Sequence, residues 1–103
     1  MVINRTIKKI DALFIDVDSC LCGIEGVDQL ARWAGVGSEI EQLTKQAMDG
    51  LCSFDQVFDR RLLRIQPALA DLIKLGKRYV KTVTPYAREV VTLLTQKGID
   101  IYL

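Results

Sequence analysis

Histidine is absent from this chain. That absence removes Ser-His-Asp and Cys-His nucleophilic catalysis, HExxH metalloprotease chemistry and histidine-phosphate intermediates together, since each needs an imidazole. Cysteine is scarce, with three residues, Cys20, Cys22 and Cys52. An odd number in 103 residues closes no disulfide framework and fits a reducing compartment. Cys20-Leu21-Cys22 is not a CxxC pair, and without histidine no zinc set is completed, so the three read as small buried hydrophobes. None is followed six positions later by arginine, which excludes a cysteine-nucleophile phosphatase loop. Gly76-Lys77 has no upstream glycine at the spacing a phosphate-binding loop requires. Long apolar runs are missing too, and Met1–Ile10 has no apolar centre of the kind a signal peptide carries. A net charge of +1 gives no reason to expect nucleic acid or an acidic membrane as partner. A cytoplasmic location is the resulting expectation.

What is present is a chain half hydrophobic in composition, long enough for one modest globular domain. The stretch Asp-Ala-Leu-Phe-Ile-Asp-Val-Asp-Ser-Cys-Leu, residues 11–21, carries the most information. Its apolar run predicts a first strand from Ile10 or Asp11 to Val17, buried on both faces as in a parallel sheet. Helical spacing of Val27, Leu30, Ala31 and Ala34 predicts a helix stopped at Gly35. Ser38 is the expected cap of a second helix, with Ile40, Leu43, Ala47 and Met48 as its apolar stripe and Gly50 as its end. Glu41 and Lys45 pair at i, i+4 on its solvated face. Ser53 and Gln56 read as a capping box for a third. Pro67 suits the first turn of a fourth, closed at Gly76, and Thr84-Pro85 opens a fifth that stops at Gly98. Ile99–Leu103 reads as a second strand.

Strand, helices, strand predicts a parallel pair, and the connection is far longer than one crossover needs. The expected organisation is therefore an α/β core formed by residues 1–23 and 81–103, with a helical lid inserted over 24–80. Within that core, Asp16 and Asp18 stand at the carboxyl end of the first strand. Two acidic groups in that place suit a hard cation and phosphoryl chemistry. An ordinary solvated turn would use the same residues.

Phe14-Ile-Asp-Val-Asp-Ser-Cys-Leu resembles the first motif of the haloacid dehalogenase superfamily, hydrophobic residues followed by DxDx(T/V)L. The segments from Glu25 to Arg32, Ala34 to Val36, Leu43 to Gly50 and Ser53-Phe54, with Arg61 and Thr84-Pro85, are similar to its phosphoserine phosphatase-like branch. The resemblance spans roughly residues 10–103 and implies a HAD-like, Rossmann-type core bearing an inserted helical cap. It implies that Asp16 is the nucleophile that forms an aspartyl phosphate, and that Asp18 is the general acid and base. Mg²⁺ would be held by Asp16 and the backbone carbonyl of Asp18. For an L-phosphoserine-like phosphomonoester, Glu25 would meet the ammonium group and Arg61 the carboxylate. Met48 and Phe54 either close the pocket or simply pack the core.

Cys20 replaces the usual threonine of the first motif, and Tyr86 stands where a small residue is common. The family's second motif, its phosphate-binding lysine and its further acidic metal ligands have no counterparts within these 103 residues. This chemistry depends on electrostatic positioning, so the expectation is an N-terminal fragment inactive by itself. The alternatives are a non-catalytic amino-acid-binding or dimerisation module, and one half of a two-chain phosphatase. A two-stranded sheet would also offer an exposed edge to a second copy or to a C-terminal partner chain.

Overall fold

The computed structural model describes residues 9–103. The elements run β1 (Ala12–Phe14), α1 (Gly26–Trp33), α2 (Gly37–Met48), α3 (Phe54–Ile65), α4 (Leu69–Lys81), α5 (Ala87–Gln96) and β2 (Asp100–Tyr102). The strands pair in parallel, with Leu13 opposite Ile101, forming a mixed α/β fold with a two-stranded sheet. The Met1–Lys8 part of the expected first domain segment lies outside the described residues.

The helices begin and end for local reasons. Ser53 Oγ accepts a hydrogen bond from the Gln56 backbone N–H at 3.2 Å and caps α3, while the return bond from the Gln56 side chain that would complete the expected capping box is not formed. At α4 the Asp71 carboxylate reaches back to the Ala68 N–H at 3.0 Å. Gly35 follows α1 at φ +75°, a left-handed turn in which a Cβ is disfavoured. Ala34 and Val36 then return hydrogen bonds to Leu30 and Ala31.

Several expectations are corrected. Ser38 does not cap α2. The helix starts at Gly37, because buried Val36 already offers its carbonyl to the Ile40 N–H at 3.1 Å. Gly76 does not end α4, which continues to Lys81. A glycine inside a helix costs about 1 kcal/mol relative to alanine, and burial of Leu75 with packing of Tyr79, one turn on, offsets it. The first strand is shorter than expected and is not buried on both faces: Phe14 is 78% exposed and stacks only on Tyr102, centroids 5.0 Å apart. Two strands and one flanking helix give it no second cover. Of the cysteines only Cys22 is buried, and Cys20 is exposed in the turn after β1.

The apolar core sits among α1–α4. Leu30, Ala31, Val36, Ile40, Ile65 and Leu75 are buried there, with Ile24, Val27, Trp33, Leu43 and Tyr79 packed around them. By contrast, α5 buries no residue fully and packs on β2. Among the described residues no helix is long and apolar enough to cross a membrane.

Candidate active site

Pairing of the two strands persists one residue beyond β1, where the Ile15 N–H meets the Tyr102 carbonyl at 2.8 Å. The chain then knots into turns. The Asp16 carbonyl accepts from Leu21 N–H at 3.0 Å, Val17 from Cys22 at 2.9 Å, and Ile24 from Ser19 at 3.1 Å. Ser19 takes φ +55°, which lets the loop reverse within this short span. The segment leaving α4 zips onto the knot. Thr82 accepts from the Gly23 N–H, and the Thr84 N–H reaches Leu21, both at 2.8 Å. The Thr84 hydroxyl donates to the Cys20 carbonyl at 2.5 Å. At position 20 the backbone oxygen thus anchors the turn, a contact indifferent to whether the side chain is a thiol or a hydroxyl.

This frame presents the two carboxylates differently. Asp16 is exposed, and its side chain accepts no hydrogen bond among the described residues. Asp18 is half-buried and held at both oxygens, Oδ1 by the Tyr79 hydroxyl at 2.6 Å and Oδ2 by the Gly26 N–H at 3.1 Å. One acid is therefore free to approach a ligand while its neighbour is oriented by protein donors.

The Asp18 backbone carbonyl accepts no hydrogen bond among the described residues, so it is an available hard oxygen two residues along the chain from Asp16. That donor set fits Mg²⁺, which takes one or two carboxylates and completes its shell with water and phosphate oxygens. Among the described residues no three acidic or cysteine side chains cluster into a fuller protein cage.

Glu25 occupies the N-cap position of α1, exposed and making no capping bond. It lines a hollow of about 240 Å³ together with Ser19, Gly23, Asp28, Gln29 and Arg32. The other expected binding residues stand on α2 and α3 and do not line this hollow. Met48, at the end of α2, is 71% exposed and Phe54, at the start of α3, is 64% exposed, so neither is core. Arg61 is half-buried on α3, donating to Thr44 Oγ1 at 3.3 Å, while its Nε is buried with no partner among the described residues.

Sequence reasoning missed Tyr79, Gly26 and Arg32. Leu75 and Tyr79 at i, i+4 look like any apolar helix stripe, and the hydroxyl's target lies 61 residues away. Arg32, four residues after Asp28, reads as a solvated helix pair.

No family model matches the chain. It is 34% identical over 93 residues to phosphoserine phosphatase of Bos taurus, covering 90% of this chain and 41% of the relative. Among solved structures it resembles a HAD-family hydrolase from Salmonella enterica serovar Typhi, with 30% identity and a TM-score of 0.70 over 85% of this chain and 30% of that one. A phospho-aspartyl intermediate analogue of phosphoserine phosphatase superposes with 33% identity and a TM-score of 0.67, over 91% and 44% of the two chains. The chain spans just under half the length of the curated relatives it matches. In both sequence and fold, the chain belongs to the haloacid dehalogenase superfamily, on its phosphoserine phosphatase-like branch.

Proposed function

We propose that this chain carries the nucleophile and substrate-facing part of a phosphomonoester hydrolase acting on L-phosphoserine, in the cytoplasmic formation of serine. The observation that carries this reading is the unequal pair at the end of β1, Asp16 free and Asp18 held by two donors. The free Asp16 carboxylate attacks phosphorus in line with the departing serine oxygen and becomes an aspartyl phosphate. Asp18 delivers a proton to that oxygen, then takes one from the water that hydrolyses the acyl phosphate. Mg²⁺, bound through Asp16 and the Asp18 carbonyl, would supply positive charge to the phosphoryl oxygens.

Residues 24–80 are proposed to act as the cap over that centre. Glu25 pairs with the substrate ammonium, and Arg61, whose buried Nε lacks a partner among the described residues, takes the carboxylate. Met48 and Phe54 exclude water from above, a role for which their exposure leaves them free. These 103 residues by themselves give little turnover, because the phosphate-binding lysine and further acidic metal ligands of the family have no counterparts in them, and among the described residues no cluster of acidic side chains makes up for the missing ligands.

The open sheet favours a second reading, in which another chain pairs beside Phe14 or Tyr102 and completes the site.

The test is phosphate release from L-phosphoserine with Mg²⁺, comparing this chain with Asp16→Asn. Slow release that vanishes in the variant supports the nucleophile assignment. Release that persists in Asp16→Asn refutes it. A mass by light scattering above that of a monomer, rising with activity, favours the assembled reading.

A further inference from the structure

Asp18 does not hold its orientation alone. Tyr79, in the last turns of α4, reaches across to Oδ1 at 2.6 Å, and the first N–H of α1, that of Gly26, holds Oδ2 at 3.1 Å. Two donors on two oxygens leave the carboxylate one rotamer. Tyr79 is itself fixed. It packs against the cluster around Leu30 and Leu75, and the chain after it is bonded to Gly23 and Leu21 through Thr82 and Thr84.

The fit at Gly26 is an independent sign of a built contact. A Cβ at this position would collide with the Tyr79 hydroxyl, so a glycine is what lets the phenol lie against the start of α1.

We propose that Tyr79 is a positioning residue: its hydroxyl fixes the Asp18 carboxylate against the first turn of α1, in the orientation from which Asp18 transfers its proton. The inference rests on the acid–base role proposed for Asp18, and it extends that role to the helical cap. Through Tyr79, the end of α4 directs a proton transfer carried out on the loop after β1.

Tyr79→Phe isolates the hydroxyl, since the ring and its packing stay. In the full chain labelled with ¹³C at aspartate carboxyls and ¹⁵N at amides, the Asp18 carboxyl and Gly26 amide resonances should move, with those of α5 and β2 unchanged. Unmoved Asp18 and Gly26 signals overturn the proposal.

Kinetics supply the second readout. Tyr79→Phe should lower kcat on L-phosphoserine about tenfold with KM little changed, while a nitrophenyl phosphate, whose leaving group departs without a proton, is spared. Equal losses on both esters overturn the proton-transfer role. If the unsubstituted chain releases phosphate from neither ester, in keeping with the little turnover expected of these 103 residues by themselves, the resonances alone decide the positioning, and unmoved Asp18 and Gly26 signals overturn it.

Discussion

Arg61 donates to Thr44 Oγ1 at 3.3 Å, yet among the described residues the same guanidinium buries its Nε with no partner. The contact ties α3 to α2 and leaves donor capacity unused. An unmet buried donor costs free energy unless something accepts from it, and a planar guanidinium suits a carboxylate. Replacing Arg61 with methionine should therefore leave the thermal midpoint unchanged or raise it, while removing selectivity for carboxylate-bearing ligands. Calorimetric binding of L-phosphoserine against phosphoethanolamine reads the second effect. The preference should drop by about tenfold, in line with one lost charged hydrogen bond. A variant that unfolds early and keeps its preference would show that Arg61 is structural.

Glu39 and Arg64 join the first turn of α2 to the last turn of α3 through two hydrogen bonds, at 2.7 and 2.9 Å. The bond from Arg64 holds the Glu39 carboxyl below its ordinary 4.5. A carboxylate whose pKa falls on folding stabilises the fold above its unfolded pKa and loses that contribution as pH drops through the folded value. Glu39→Gln should lower the urea midpoint slightly at about pH 7 and not at about pH 3. The difference should also shrink in about 1 M salt, since both groups are at the surface. A gap that persists in acid would mean that the glutamate contributes something other than its charge.

Tyr86 adopts φ +65° and ψ 3° at the third position of a turn closed by the Ala87 N–H on Thr84 at 3.1 Å. That is the left-handed position of a type II turn, which favours glycine. Tyr86 is 77% exposed, so little packing compensates. Tyr86→Gly should stabilise the chain by about 0.5–1 kcal/mol, the relief of left-handed strain less glycine's greater unfolded-state entropy. Tyr86→Ala keeps the Cβ and should give no such gain in thermal unfolding. Equal gains from both would place the effect in the lost side chain instead.

Gly26→Ala puts a methyl where the Tyr79 hydroxyl lies. Despite alanine's better helix propensity, the collision should cost about 1–2 kcal/mol. In a Tyr79→Phe background the penalty should fall, because the crowded oxygen is gone. A double-mutant cycle by urea unfolding measures that coupling. Strict additivity would show that Gly26 and Tyr79 do not constrain one another.

Much of the architecture is carried by short-range chemistry. The continuous apolar run around Leu13, the Ser53 cap, Gly35, Thr84-Pro85 and the acidic pair after a short strand each act within a few residues of themselves. They therefore indicate a strand, five helices, a parallel return and a candidate phosphoryl site without reference to the rest of the chain. Signals of this kind mislead where a longer-range term outweighs them: Gly76 is carried through α4 by packing on either side, and Ser38 loses its cap to the buried Val36.

What only the tertiary structure decided is which groups meet. Asp16 and Asp18 are chemically identical in the sequence, and they differ because Tyr79 and Gly26 reach one of them and not the other. The apolar run of β1 indicates a strand but not its exposure, because cover depends on how many strands and helices surround it. Local propensity is a property of neighbours along the chain, whereas orientation of a carboxylate or burial of a phenyl ring depends on atoms brought together from 61 residues away.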